Sequence, residues 1–182
     1  MTDFNIVDKV YSTPSSWEEV TVAMFEKLLD VSQRQESFST EIAYSLAVIS
    51  ALTKIPVNIL EGLEGDDFSK LGEAVSWSGK EIISNRKKEF LINGITYVPV
   101  SNYNGLTMGE AIDSEMIIKN ATPSNLISEL LPLLVRRAIY KGKGKKTKLV
   151  PSKFDAENYQ ELKEEMKHNL MITDVMQLKG FF

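Results

Sequence analysis

The chain has 182 residues, of which 43% are hydrophobic and 25% are charged, and it contains no cysteine. A chain of this length predicts one domain that folds without cross-links, and the lack of cysteine excludes disulfides, thiolate metal ligands and cysteine nucleophiles. The 25 acidic residues exceed the 21 lysines and arginines, and the net charge of -4 argues against nucleic-acid binding over the whole surface.

The first sixteen residues are polar and are interrupted by Pro14, so we expect a flexible arm over 1–16 before a single domain over 17–182. Residues 1–9 hold neither a basic leader nor an apolar core, which predicts that there is no signal peptide. The longest apolar stretches are far shorter than the roughly 20 residues that span a bilayer, so we expect no membrane contact. The cytosol is the expected compartment.

Apolar residues recur at helical spacing through the first half of the chain. Ser15 or Ser16 is placed to cap the first helix, because a side-chain oxygen there accepts a free amide hydrogen bond. Proline ends the second helix, because it lacks an amide proton and disfavours helix in the residue before it. The expected helices are 17–31, from 39 or 40 to the residue before Pro56, a brief one over 57–60, and one from 66 to 77.

Two β-prone runs flank the dipeptide Asn93-Gly94 and predict a hairpin over about 89–100. Asparagine and glycine suit a tight turn in which both residues take positive φ. Pro99 cannot donate a hydrogen bond to a neighbouring strand, so we expect the second strand to lie at an edge. The fold class predicted is α+β, mainly α-helical with one central β-hairpin.

The last third of the chain returns to helical patterns. Residues 107–110 read Thr-Met-Gly-Glu, which is the spacing of a capping box. A long helix is expected over 124–140, with a kink at Pro132. A final helix is expected to open at Ser152 or Asp155.

Catalytic and metal-binding patterns are weak in this sequence. His168 is the only histidine, and Glu164 lies one helical turn before it, but a metal site needs two or three further ligands. No serine lies in a nucleophile-elbow pattern, and segment 141–147 lacks the glycine spacing of a phosphate-binding loop. We therefore expect no catalytic residue, no metal and no cofactor.

Basic residues cluster before and within a glycine-interrupted segment, and they are Arg136, Arg137, Lys141, Lys143, Lys145, Lys146 and Lys148. The favoured interpretation is a solvated loop, and the alternatives are a contact with an acidic protein or with nucleic acid. No aromatic residue lies between the lysines to stack on bases.

A series of short sequence motifs occurs in a characteristic order from Trp17 to the end of the chain. They occupy 16–21, 46–56, 68–71, the hairpin at 90–100, 106–113, 130–137 and the closing Phe-Phe pair. In this order they resemble the tail assembly chaperones encoded among the tail genes of double-stranded DNA bacteriophages. The basic segment after Tyr140 departs from the pattern, because shorter or less charged sequence is expected there.

The resemblance implies a non-enzymatic helper that binds the tape-measure protein and tail-tube subunits while the tube polymerises, in the cytoplasm of the host. A tape-measure helix exposes apolar stripes before the tube encloses it, and an apolar groove can cover them reversibly. On this interpretation the groove is formed around Trp17, Phe25 and Leu134. Phe181 and Phe182 are either packed in the core or presented as an anchor for the partner.

Two other functions stay open at this point. A structural virion component of the neck, baseplate or capsid would use the same helices in a permanent interface. A nucleic-acid-binding phage regulator would use Arg136, Arg137 and the segment 141–148, and its affinity would fall steeply with salt. The sequence leaves both the identity of the protein partner and self-association open.

Overall fold

The computed structural model describes residues 1–6, 9–100, 105–142 and 148–181, the last three of these through their backbone only. Its strands are β1 (Thr2–Ile6), β2 (Lys9–Thr13), β3 (Phe90–Ile92), β4 (Ile95–Pro99), β5 (Val135–Lys141) and β6 (Lys148–Pro151). Its α-helices are α1 (Val22–Gln33), α2 (Glu41–Thr53), α3 (Val57–Leu60), α4 (Gly65–Val75), α5 (Met108–Asn120), α6 (Leu126–Leu134), α7 (Tyr159–Asn169) and α8 (Ile172–Val175).

The strands form two antiparallel sheets, so the chain is α+β as predicted. One sheet is the hairpin of β1 and β2, and it lies where the sequence predicted a flexible arm over 1–16. The other has four strands in the order β3-β4-β5-β6. The prediction of a single central hairpin is therefore wrong, because the Asn-Gly hairpin is one half of a larger sheet and a separate hairpin opens the chain.

Capping residues determine where the first helices begin, and the start of α1 differs from the prediction. The second helix begins close to the predicted start at 39 or 40, where the hydroxyl oxygen of Thr40 accepts a hydrogen bond from the amide of Ala43 at 3.1 Å and caps α2. The first helix begins later than predicted, because residues 17–19 form a separate 3-10 turn. The cap of α1 is then Thr21, whose hydroxyl oxygen accepts from the amide of Met24.

The turn between β3 and β4 confirms the Asn-Gly prediction, with φ of 48° at Asn93 and 78° at Gly94. The prediction that β4 is an edge strand is wrong, because β4 pairs with β3 on one side and with β5 on the other. Pro99 is tolerated because it is the last residue of β4. The next amide, that of Val100, donates to the carbonyl of Leu134 at 2.7 Å and continues the contact between the two segments.

The helix predicted over 124–140 ends at Leu134, and the chain continues directly as strand β5. Pro132 removes one amide donor just before this end. Backbone partners on both sides then decide the conformation, because β5 pairs with β4 and with β6. The last long helix, α7, begins at Tyr159 and so opens later than predicted.

The core lies where α1, α6 and α7 pack together, with α2 against α1 and α5 on α6. Glu26 of α1 is buried, and its Oε1 accepts the amide of Ser128 at 2.8 Å in the first turn of α6. Within the described ranges, no helix has both the length and the apolar character needed to cross a bilayer. The fully buried side chains include Val20, Leu52, Ile55, Leu131, Leu133, Leu134, Val135, Met166 and Ile172.

Candidate protein-docking site

Helix α5 presents a row of large apolar side chains to solvent. Met108, Ile112 and Met116 repeat every four residues, which places them on one face of the helix. Their exposed fractions are 78%, 52% and 57%. Single exposed apolar residues are ordinary, but a contiguous row is typical of an interaction surface. We call these three residues the α5 row.

The opposite face of α5 is fixed to the rest of the protein. The capping box forms as predicted, since the hydroxyl of Thr107 accepts the amide of Glu110 and Oε2 of Glu110 accepts the amide of Thr107 at 2.6 Å. Glu110 and Ser114 are buried, and Ile117 packs against the core. The buried face leaves the α5 row no freedom to turn inward, so its exposure is a property of the fold.

A buried ion pair anchors the start of α5. Nη1 of Arg136 lies 3.1 Å from Oε1 of Glu110, and both side chains are at least nine-tenths buried. Nε of Arg136 donates to the carbonyl of Leu133 at 2.9 Å, in the last turn of α6. Burial alone would raise the pKa of Glu110, but the hydrogen bond from the amide of Thr107 and the charge of Arg136 hold it below its usual value.

A groove of about 430 Å³ runs beside Met116, and its apolar lining includes Ile117, Leu133 and Phe154. Tyr159 closes one side, and its ring meets that of Phe154 edge to face at a centroid distance of 6.2 Å. The groove extends the apolar surface of the α5 row sideways. Together they form one continuous apolar strip on the surface.

The wall of this groove holds a half-buried polar cluster. The hydroxyl of Tyr159 donates to Glu129, with Oε2 at 2.8 Å, and Nζ of Lys163 lies 3.1 Å from Oε1 of the same carboxylate. Burial alone would raise the pKa of Glu129, but these two partners lower it. Burial and the Glu129 carboxylate both raise the pKa of Tyr159, so its hydroxyl stays protonated and keeps donating.

The lowered pKa values of Glu110 and Glu129 predict an acid-sensitive fold. A carboxyl group whose pKa is lowered in the folded state adds stability above its ordinary pKa, and this stability is lost as the pH falls through the lowered value. We expect the free energy of unfolding, measured by urea titration, to be constant near neutral pH and to drop below about pH 4.5. The double variant Glu110→Gln, Glu129→Gln should be less stable at pH 7 and lose less on acidification, and an equal loss in both proteins would contradict this assignment.

Acidic side chains border the α5 row. Asp113 and Glu115 are exposed and follow Ile112 on opposite sides of the helix. Among the described residues, neither carboxylate is part of an ion pair. The surface is therefore apolar along its centre and acidic along both flanks, with Lys119 exposed at its C-terminal end.

A larger cleft, of about 650 Å³, lies between the four-stranded sheet and α7. Glu165 lines it, but this carboxylate already accepts hydrogen bonds from Asn93 at 2.8 Å and from the hydroxyl of Tyr97 at 3.3 Å. Burial and the charge of Glu165 raise the pKa of Tyr97. These contacts fasten α7 to the sheet, so we assign the cleft a structural role.

Of the three residues predicted to form a partner groove, Trp17 and Leu134 are buried and Phe25 is half-buried against the core. Trp17 is 9% exposed, and its ring meets those of Phe25 and Trp77 edge to face at 5.9 and 5.1 Å. Leu134 is fully buried where α6 joins β5. The prediction that Trp17 and Leu134 line an open groove is therefore wrong, and a contact of Phe25 with a partner stays a prediction. The side chain of Phe181 and all of Phe182 lie outside the described residues, so that prediction stands as made.

The predicted basic patch divides into three groups. Arg136 is buried and paired with Glu110, so it offers no charge to an outside partner. Arg137, Lys141 and Lys148 are exposed on β5 and β6. The remaining members, Lys143, Lys145 and Lys146, lie outside the described residues.

His168 and Glu164 share one face of α7, as their spacing predicts, with Nε2 of the histidine 3.6 Å from the carboxylate. Both side chains are more than half exposed. In the part of the chain that the structure describes, no three His, Cys, Asp or Glu side chains are grouped as metal ligands would be. The pair is therefore a surface contact between neighbouring turns.

Reasoning from the sequence missed the α5 row. Its four-residue spacing was visible, but Ala111, Ile117 and Ile118 make the helix apolar on other sides as well. When apolar residues are spread around a helix among polar ones, their pattern does not reveal which face is buried. The buried Glu110, whose partner lies 26 positions away in the sequence, is what decides the orientation.

No protein-family model, curated protein or solved structure matches this chain. Its function is therefore inferred from the chemistry of its own residues. The α5 row has the greatest weight, because its exposure is fixed by buried contacts on the opposite side of the same helix.

Proposed function

We propose that this chain is a non-enzymatic binding protein that covers an amphipathic helix of another protein with the α5 row and the groove beside it. The observation that supports this most is the exposure of Met108, Ile112 and Met116 on three successive turns. Burying such a row against a helix removes apolar surface from water, which is the main driving force for protein association.

The flanking charges define the partner more closely. Because Asp113 and Glu115 border the row, a partner helix with lysine or arginine beside its apolar stripe fits best. Methionine side chains are flexible and polarisable, so a surface with two of them can adapt to partners of varied sequence. A helper that covers many segments of one long protein needs this tolerance.

We propose further that the partner is a phage tape-measure protein and that the chain assists tail assembly in the host cytoplasm, together with tail-tube subunits. The order of the short sequence motifs from Trp17 onward supports this assignment, and so does an apolar face suited to a long helical protein. Covering the exposed stripes of that protein would keep it from aggregating until the tube encloses it. Finding the chain in purified virions would assign it instead to a structural component.

A carboxylate introduced into the α5 row should remove this binding. We expect Ile112→Asp and Met116→Glu each to weaken binding of synthetic helical segments of the tape-measure protein by roughly 30-fold or more, as for the central residues of an interface. Isothermal titration calorimetry with the full chain measures this. Ile42→Asp is the matched control, because Ile42 is an exposed isoleucine on α2, 66% exposed and outside the row. Equal binding by Ile112→Asp, Met116→Glu and the native chain would contradict the proposal.

A further inference from the structure

The β5–β6 hairpin projects beyond the rest of its sheet. Strand β4 pairs with β5 only as far as Arg137, whereas β5 and β6 stay paired up to Lys141 opposite Lys148. Among the described residues, this outer part is a two-stranded ribbon to which no third strand is paired. We call it the ribbon. Side chains along each of its strands alternate between two faces.

One face of the ribbon has an apolar centre with positive charge at both ends. Ile139 lies opposite Val150 in the register, and Ile139 is 47% exposed. Arg137 precedes Ile139 by two residues and Lys141 follows it by two, so these three side chains lie on the same face of β5. Lys148 lies opposite Lys141 and adds a second cation at that end. Arg137 and Lys141 are about 13 Å apart along the strand.

The chemistry of this face favours a protein as its occupant. Within the described ranges, none of Arg137, Lys141 and Lys148 takes part in an ion pair. Like charges on opposing residues of an antiparallel pair repel each other, so a carboxylate placed beside Lys141 and Lys148 would relieve this repulsion. A surface that is apolar at its centre and acidic at its edges matches both the aliphatic pair and the cations.

The α5 row is such a surface. It is apolar at Ile112, and the exposed side chains of Asp113 and Glu115 lie on opposite sides of it. Their carboxylates are therefore separated by about the 10–12 Å diameter of a helix. This separation is close to the roughly 13 Å between Arg137 and Lys141, provided that α5 crosses β5 at a steep angle.

The row and the ribbon of one chain cannot meet each other. Oε1 of Glu110 holds the start of α5 to Arg136 at 3.1 Å. Arg136 is the neighbour of Arg137 in β5, so their side chains lie on opposite faces of the strand. The attachment of α5 is thus on the other side of the sheet from the cations of the ribbon. A contact between the two surfaces requires two copies of the chain.

We propose that the ribbon of one copy docks across the α5 row of a second copy. Ile139 packs on Ile112, and the cations at the two ends of the ribbon pair with Asp113 and Glu115. Because two different surfaces meet, the contact is heterologous and can be repeated from copy to copy. The neighbouring copy covers the row until a partner helix displaces it. The inference rests on the α5 row being a docking surface, as proposed above, but not on the identity of the partner helix.

Sedimentation velocity of the full chain, without any partner, tests the proposal. We expect the average mass to rise with concentration between about 10 and 500 µM, as for a small transient interface. Raising NaCl from about 50 to 500 mM should weaken the association several-fold, because exposed charge pairs are screened. Ile112→Asp should weaken it roughly 30-fold, and Lys141→Glu about tenfold because it places a carboxylate against an acidic flank.

Mixing the two variants identifies the surfaces that meet. Ile112→Asp keeps a native ribbon and Lys141→Glu keeps a native row, so their equimolar mixture should form a dimer containing one of each, with the affinity of the native contact. Lys141→Glu should melt at the native temperature or above, because its carboxylate faces Lys148. The matched controls are Ile42→Asp on α2 and Lys9→Glu on β2, which change exposed residues elsewhere and should associate as the native chain does.

Three results would overturn the proposal. They are a native chain that stays monomeric at the highest concentration in low salt, native association by Ile112→Asp, and a variant mixture that forms no mixed dimer. A monomeric chain whose ribbon binds poly-glutamate or oligo(dT), with loss of binding in Lys141→Glu, would assign the ribbon another occupant and overturn it as well. Binding of the tape-measure segment is measured separately, so a monomeric chain that still binds the segment contradicts this inference and leaves the proposed function in place.

Discussion

Replacing Arg136 by alanine is expected to lower the free energy of unfolding by about 3–5 kcal/mol, which is the range for breaking a buried ion pair. The substitution leaves the carboxylate of Glu110 buried and without its cation. It also removes the Nε hydrogen bond to the carbonyl of Leu133. Three elements lose a common anchor, because the same guanidinium joins the start of α5, the end of α6 and β5. Urea unfolding followed by circular dichroism measures the change.

The matched control keeps the volume and removes both charges. Arg136→Met combined with Glu110→Gln should be distinctly more stable than Arg136→Ala, because no unpaired charge is left in the interior. Arg136→Met alone should resemble the alanine variant. A loss below about 1 kcal/mol for Arg136→Ala would mean that the pair is solvated and does not anchor α5.

Leu134→Ala is expected to cost about 2–5 kcal/mol, because it opens a cavity at a fully buried position. The position matters for function as well as for stability, since the sequence alone placed Leu134 in a partner groove. Met116→Ala is the comparison, and we expect it to change stability by less than about 0.5 kcal/mol because its side chain is 57% exposed. A stable Leu134→Ala protein that has lost partner binding would restore the original assignment of Leu134 to the interface.

Features specified by neighbouring residues were predicted well from the sequence. The capping box at Thr107 and Glu110, the start of α2 near Thr40 and the Asn93-Gly94 turn each depend on a few consecutive residues. Their chemistry is the same in any fold, because a side-chain oxygen satisfies a nearby amide or a residue tolerates positive φ. These signals fix where elements start and turn.

Features that depend on distant residues were not predicted. The run that begins at Val135 has the apolar spacing of a helix, yet it is a strand because β4 and β6 supply hydrogen-bond partners on both sides. Local propensity is a weak guide where such pairing is available. The same reason applies to the hairpin of residues 2–13, which is short and polar and whose pairing was not evident from its composition.

The same limit applies to the candidate site, where contacts between distant residues decide which apolar side chains are buried. The sequence predicts Trp17 and Leu134 as groove residues because they are apolar, but long-range packing buries them. The α5 row is equally apolar, but the buried contacts on the opposite face of the helix, including those of Glu110, keep it outward. Apolar character alone therefore does not separate core from interface in this chain, whereas one buried carboxylate in the same helix does.

Selective 13C labelling of methionine methyl groups is the measurement we would make first. The chain has seven methionines, and two of them, Met108 and Met116, lie in the α5 row, whereas Met24 and Met166 are buried in the core. On addition of a helical tape-measure segment, we predict that the methyl signals of Met108 and Met116 shift or broaden and that those of Met24 and Met166 stay in place. Binding of the segment with both row signals unchanged would contradict the proposed docking face.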